Sequence, residues 1–465
     1  MDELGATGPH FGLPILVPAT LVLVIIALLA GRRIEGLPGR FLFLAIWLRM
    51  ILGAYHVYMF KPMFAGMSGN ALVSIIITGL AFLVIRASHL ALKVLVPTYL
   101  IMFLVAISGA LNSDMPGVMT VTVKYGYFVV LLIATFEALR QDRDEMLMPL
   151  MIWAFSPLLL FQWLSVALHL PKGSEMGDGL VWIGGYNHEA AFSVSLLLAF
   201  LVGCFAHRLN PFIRLGYLAL VAIGIFLAGY RTTLMASVPL VATVFWASIT
   251  QYVSPTQRRV VAATALVVAF VAVLGMAVIN YDRFIDLGTF LSNPDALIKP
   301  PREFTQVERQ ILSARPLIWS EYIFAYKDGT SLQHLFGFGP ESWSRGFDVY
   351  PHNTIIGTLY ELGAVGVFAM LLFWATMAVT ALRARRHDLP MLIAAHLSFL
   401  ILNMGTMPFW QLEGLALYAV LCGYTLFSAR ARIYDWSDPH AEEEEPVTVH
   451  FPVAEERYGR PYRFS

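Results

Sequence analysis

Apolar stretches of bilayer length recur along this chain, and the loops between them carry positive charge in strict alternation. A hydrocarbon core takes about 20 apolar residues per helix, and about 13 runs approach that length. They lie near residues 13–30, 41–60, 71–85, 94–111, 118–138, 147–170, 189–206, 214–229, 233–250, 260–279, 355–382, 390–407 and 411–429. Lys and Arg favour the cytoplasmic side of a membrane. Counted from an external N-terminus, the cytoplasmic loops carry Arg32, Arg33 and Arg40; Arg86 and Lys93; Arg140 and Arg143; Arg208 and Arg214; Arg258 and Arg259; Arg383, Arg385 and Arg386; Arg430 and Arg432 open the C-terminal tail. The alternate short loops hold only Lys61, Lys172 and Arg231. A miscounted helix would break this alternation. Composition agrees, with 58% hydrophobic and 13% charged residues against roughly 45–50% and about 25% in soluble domains. The expectation is an all-α, polytopic membrane protein of about 13 transmembrane helices, its N-terminus outside and its C-terminus in the cytoplasm.

Four regions follow. Residues 1–279 hold the first ten expected spans and 355–429 the last three. Residues 280–354 form a long, mixed-polarity external segment that reads as loop followed by amphipathic helix, its Trp, Phe and Tyr content arguing against disorder. Residues 430–465, with Glu442–Glu445 and several prolines, read as a disordered cytoplasmic tail. The leader before the first run is acidic and its basic residues follow it, so that run reads as a retained helix rather than a cleaved signal. Cys204 and Cys422 lie in apolar runs and read as buried small side chains. A net charge of +0 suggests no nucleic-acid partner.

Chemistry-bearing residues gather on the external side. There is no Walker A loop, zinc spacing or external acidic pair, so neither ATP hydrolysis nor a resident metal is expected. Arg231, in GYRTTLMA, stands beside an outward helix N-terminus that Thr232 and Thr233 can cap, which makes either an anion site or a snorkelling interfacial arginine. GYNHEAAF (185–192) opens another outward helix, with Asn187 as a cap and Glu189 in the first turn; His188 is open between roles. His352 and Asn353 stand where the long segment returns to the membrane as a helix, and a histidine there can take a proton from a sugar hydroxyl. Glu361 falls on the opposite helix face from His352 at about 100° per residue and is instead expected toward a polar channel. Arg315 and Trp319 lie on the external amphipathic stretch. Lys124 and Arg49 fall inside expected spans, where an ionisable residue is a functional hypothesis by default.

The order of these features resembles the O-antigen ligase and polymerase superfamily. The match is carried by Arg315 with Trp319, Gly337 and Gly339, His352 and Asn353, then Glu361, Leu362, Gly363 and Gly366. Weaker points are the Asn187 segment and Arg231, where Tyr230 replaces the family's serine. The resemblance implies a GT-C-like membrane glycosyltransferase acting at the periplasmic face of the bacterial inner membrane, without metal or cofactor. The donor is an undecaprenyl-diphosphate-linked glycan, and the acceptor another lipid-linked glycan, lipid A-core or a protein hydroxyl. It also implies that His352 is the catalytic histidine, that Arg231 and Arg315 hold the diphosphate, and that Asn353, Asn187, Lys124, Arg49 and Glu361 support the site or its acceptor side. The rival class is a transporter or lipid flippase, for which Arg49 and Lys124 would suit a polar path; the chain shows no internal repeat of the kind many such proteins carry.

Overall fold

The computed structural model describes residues 10–64, 67–174, 179–254, 256–264, 267 and 298–433. Most of the expected span at 260–279, the first part of the long segment and the tail from residue 434 lie outside the described residues. Two small antiparallel hairpins are the only strands among those residues: β1 (Pro62–Phe64) with β2 (Met67–Ser68), and β3 (Lys172–Gly173) with β4 (Leu180–Val181). Everything else is helix or loop.

The helices run α1 (Leu13–Gly31), α2 (Leu37–Ala54), α3 (His56–Met59), α4 (Gly69–Ala81), α5 (Val96–Leu111) and α6 (Met115–Gln141). There follow α7 (Leu147–Met151), α8 (Ser156–Ala167), α9 (Glu189–Phe205), α10 (Pro211–Leu227) and α11 (Arg231–Tyr252). The second half holds α12 (Arg315–Lys327), α13 (Ser331–Phe336), α14 (Trp343–Gly346), α15 (Thr354–Leu382), α16 (Leu389–Gly405) and α17 (Leu412–Ile433). Among the described residues, eight helical stretches are long and apolar enough to cross a membrane, and α4, α9, α10 and α16 are shorter apolar helices. Each expected run within the described residues is helical.

α6 and α17 form the centre of the bundle. Of the span in α17, 83% is buried, against 22% for α1, which places α1 at the periphery. Phe128, Phe373, Phe399, Phe409 and Tyr418 fill the space between α6, α15, α16 and α17, with the Phe399 and Tyr418 rings stacked at 3.9 Å. Large rigid rings give this layer much of its buried area. Exposed Leu, Ile, Val and Phe side chains on α1, α10 and α11 face outward from the bundle, as lipid-facing helices require. Cys204 and Cys422 are free and buried.

One helix departs from regular geometry. Within α15, Gly363 adopts φ 69° and ψ −169°, so the helix is broken between a short first part and a long second part. A break frees carbonyl groups, which in an apolar bundle must find other donors. The backbone amides of Phe338 and Gly339 supply them, donating to the Tyr360 and Glu361 carbonyls at 2.9 and 3.2 Å, and the Ser108 hydroxyl donates to the Glu361 carbonyl at 2.8 Å. Gly337 is itself at φ 76°, and a Cβ there would strike the Glu361 carbonyl. The Gly337–Gly339 turn and the break at Gly363 are therefore two halves of one joint.

Candidate functional site

The joint brings the long segment down onto the end of the bundle where α11, α15 and α17 begin and α16 ends. The approach is fixed from α6 and α5. Asp114 caps α6 by accepting from the Gly117 amide at 3.1 Å and pairs with Arg345 at 2.9 Å. Lys124 pairs with Glu341, and the Asn112 side chain donates to the Gly337 carbonyl at 3.1 Å. Tyr322, Phe338, Phe347 and Tyr360 make an aromatic block beneath this loop, with Tyr322 and Phe347 stacked at 3.9 Å.

α12 then sets the loop that carries His352. Its Trp319 Nε1 donates to the Pro351 carbonyl at 3.0 Å, and its Tyr322 hydroxyl donates to the Val349 carbonyl at 2.8 Å. His352 follows with φ 50°, a left-handed backbone, and its ring lies 3.9 Å from that of Tyr350. Asn353 caps α15, its carbonyl oxygen accepting from the Ile355 and Ile356 amides at 2.9 and 3.2 Å. The other side of Asn353 donates to the Met404 carbonyl at 3.3 Å, and Thr354 donates to Asn403 at 2.6 Å. The end of α16 thus holds His352 in register.

The same end of α16 holds the two arginines. The Thr232 hydroxyl donates to the Gly405 carbonyl at 3.5 Å and accepts from Arg315 Nη2 at 3.1 Å. Arg231 is the first residue of α11 and Arg315 the first of α12; neither helix has a side-chain cap or an acidic residue in its first turn. A cation at the positive end of a helix is on the unfavourable end, by about 0.3–1 kcal/mol each. Arg315 Nε is buried with no hydrogen-bond partner among the described residues, and so is the Thr233 hydroxyl. A buried donor atom left unmet costs free energy until something accepts from it. Uncapped helix N-termini, two arginines and an unmet donor are the kind of features that favour an anion.

Strain collects here as well. Six non-glycine residues among those described have positive φ, and three of them are Ala314, Glu341 and His352. Each such residue costs about 1–2 kcal/mol, and residues of this kind cluster at functional sites. Ala314 turns the chain directly into Arg315.

These contacts sort the expected site residues. Arg315, Thr232, Trp319, His352 and Asn353 are tied together through α12 and the end of α16, with Arg231 beside Thr232. Glu361 is buried, its carboxylate facing the Glu341 and Trp343 amides beside the Lys124–Glu341 pair, and its Oε2 has no hydrogen-bond partner. It belongs to the joint rather than to a channel. Arg49 donates to Glu413 Oε1 from Nε and Nη2 at 3.1 and 2.7 Å and also to the Asn70 side chain, a separate neutral cluster at the start of α17. Asn187 does not cap α9: His188 is the cap residue and makes no side-chain cap bond, while Asn187 Nδ2 meets His188 Nε2 at 2.9 Å and the Asn187 carbonyl accepts from Lys172. Thr232 and Thr233 are not caps either, because α11 starts one residue earlier, at Arg231. Glu189 is in the first turn of α9 as expected. No group of three or more His, Cys, Asp or Glu among the described residues is arranged to hold a metal ion.

Residues 216–371 match the family model described as O-antigen ligase. Over that stretch, about a third of its length, the chain is similar to the O-antigen ligase family. The matched stretch runs from α10 into α15 and so contains Arg231, Arg315, Glu341, His352, Asn353 and Glu361, whereas Arg49, Lys124 and Asn187 precede it. No curated protein matches the chain. The match supports glycosyltransferase-type activity at the level of the family. The helices make the chain a polytopic membrane protein.

Proposed function

We propose that the chain transfers a glycan from undecaprenyl diphosphate to an acceptor hydroxyl at the periplasmic face of a bacterial inner membrane, as a surface-polysaccharide polymerase or O-antigen ligase. The fold would be a GT-C-like bundle of about 13 spans, with the N-terminus and the 280–354 segment outside. The observation that carries this reading is Arg315, whose buried, unmet Nε stands at an uncapped helix start and is tied to the Arg231 turn through Thr232. A diphosphate would supply an acceptor for that Nε, and guanidinium groups bind such oxygens in forks.

In the proposed reaction the acceptor oxygen attacks the anomeric carbon as the bond from that carbon to the diphosphate oxygen breaks. The departing diphosphate keeps the electron pair, and Arg231 and Arg315 stabilise the growing charge. His352 takes the acceptor's proton or orients its hydroxyl. A single displacement of this kind inverts the anomeric centre, and no step uses a metal. Asn353 fixes His352 by capping α15. Glu361 and Lys124 support the joint that positions the loop, Arg49 steadies the start of α17, and Asn187 lies toward the acceptor side.

The test is transfer by the purified protein in liposomes, from an undecaprenyl-diphosphate oligosaccharide, with EDTA present and beside a His352→Ala variant. Product from the wild type and none from the variant is expected, and longer lipid-linked chains would identify a polymerase. Movement of the lipid between leaflets with no product would assign the chain to flipping instead.

A further inference from the structure

A second concave surface lies on the other side of the loop that leads to His352. It is an open groove of about 610 Å3 between α12 and the segment 344–348, lined by Glu321, Phe324, Asp328, Arg345, Phe347 and Asp348, with Pro301 at one end. Glu321, Phe324 and Asp328 share one face of α12 at helical spacing. The opposite face of that helix carries Trp319 and Tyr322, which hold the carbonyls of Pro351 and Val349. One helix therefore places the groove on one side of the 346–352 loop and the two arginines on the other.

The two sides differ in charge. The groove lining has three carboxylates and one guanidinium, and that guanidinium, Arg345, is paired with Asp114. Arg309 and Lys327 stand at its edge, the latter 4.7 Å from the Phe324 ring centroid. Glu321 and Asp348 both line the groove, and burial, with the neighbouring Asp348, pushes the Glu321 carboxyl above its ordinary range. Such a surface repels phosphate and suits a ligand rich in hydroxyl donors. Carboxylates accept from sugar hydroxyls in charge-assisted hydrogen bonds, and the Phe324 and Phe347 rings offer apolar faces for sugar C–H groups.

We infer that this groove binds the acceptor glycan, and that it takes neutral or amino sugars in preference to acidic ones. The inference rests on the glycosyl-transfer reading, because the acceptor must reach His352 from a side the donor diphosphate does not occupy. The groove supplies that side: Asp348 and Phe347 line it, and the chain runs from them directly to His352.

Binding is read without any donor, so it stands or falls apart from transfer. The purified protein in nanodiscs is titrated with maltotetraose, a chitosan tetramer and tetragalacturonate, and saturation-transfer NMR reports contact. The neutral or the amino sugar is expected to bind and the galacturonate not to. Phe324→Ala and Asp328→Asn should each weaken binding, by about tenfold where a charge-assisted hydrogen bond is lost. Asp328 is exposed, so Asp328→Asn tests the idea even if Phe324→Ala fails to fold. His352→Ala should bind the sugar as the wild type does while losing transfer. Equal binding of galacturonate, no binding of any sugar, binding untouched by either groove variant, or occupation by an oligolysine peptide alone would overturn the assignment.

Discussion

Arg315 concentrates the chemistry at the scale of single residues. Its Nη2 donates to Thr232 at 3.1 Å, and its Nε has no hydrogen-bond partner among the described residues. A lysine in its place offers one point charge and no fork. Arg315→Lys and Arg231→Lys are each expected to lower kcat/KM for the lipid-linked donor about 10–100-fold, the loss for one to two charge-assisted bonds; steady-state transfer in liposomes measures this, and near-wild-type kinetics in either variant would remove that arginine from the site. Both arginines and His352 were visible in the sequence because each sits at a helix start beside a turn residue. Their union through Thr232 and Gly405 was not, since a contact across 173 positions leaves no local pattern.

Elements explain why those residues stay in place. The broken helix α15 and the Gly337–Gly339 turn share hydrogen bonds that neither has alone. At Gly363 a side chain would need φ 69° and would collide with the Leu335 carbonyl and Phe336 amide. Gly363→Ala is therefore expected to destabilise by at least about 1–3 kcal/mol, read as a fall in the Tm of the detergent-solubilised protein; an unchanged Tm would mean the joint tolerates a regular helix. The sequence displayed Gly337, Gly339, Gly363 and Gly366 as a motif, yet the break itself depends on docking two segments and so escapes periodicity. Lys124 and Glu341, 217 positions apart, escape it for the same reason. A smaller clasp orders the approach to α12. Glu308 accepts from Lys299 at 2.8 and 2.9 Å and from the Thr305 amide and hydroxyl at 2.8 Å each. Those bonds, that to Lys299 foremost, pull its carboxyl down from 4.5 to about 2. A depressed carboxyl stabilises the fold above its unfolded pKa and loses that contribution as pH falls through the folded value. Pepsin cleavage near 299–309 should thus be slower in wild type than in Glu308→Gln at about pH 4, with the difference vanishing near pH 2; equal rates at both values would show that the clasp orders nothing.

For the whole molecule, the basic-loop alternation was the strongest guide to topology, because charge bias acts on every loop and does not depend on packing. The apolar runs anticipated helices within the described residues, with α4, α9, α10 and α16 shorter than a full span. The placement of the joint at one end of the bundle is the part neither could foresee. Cys204 and Cys422 are the chain's two cysteines and both are buried, so the native background presents no accessible thiol to a polar reagent. On that background a cysteine replacing Ser331 should react with an impermeant thiol reagent in intact cells, and one replacing Arg208 only after permeabilisation. The reverse pattern would invert the topology and move the arginine site to the cytoplasm.

In the proposed reaction Arg231 and Arg315 hold a diphosphate that His352 helps to release by acting on the acceptor. Donor binding and turnover, measured together on the same proteoliposomes for wild type, Arg315→Ala and His352→Ala, separate these roles. His352→Ala is expected to bind undecaprenyl-diphosphate oligosaccharide as tightly as wild type but to form no product, while Arg315→Ala loses donor binding. Wild-type donor affinity in Arg315→Ala, or product formation by His352→Ala, would contradict it.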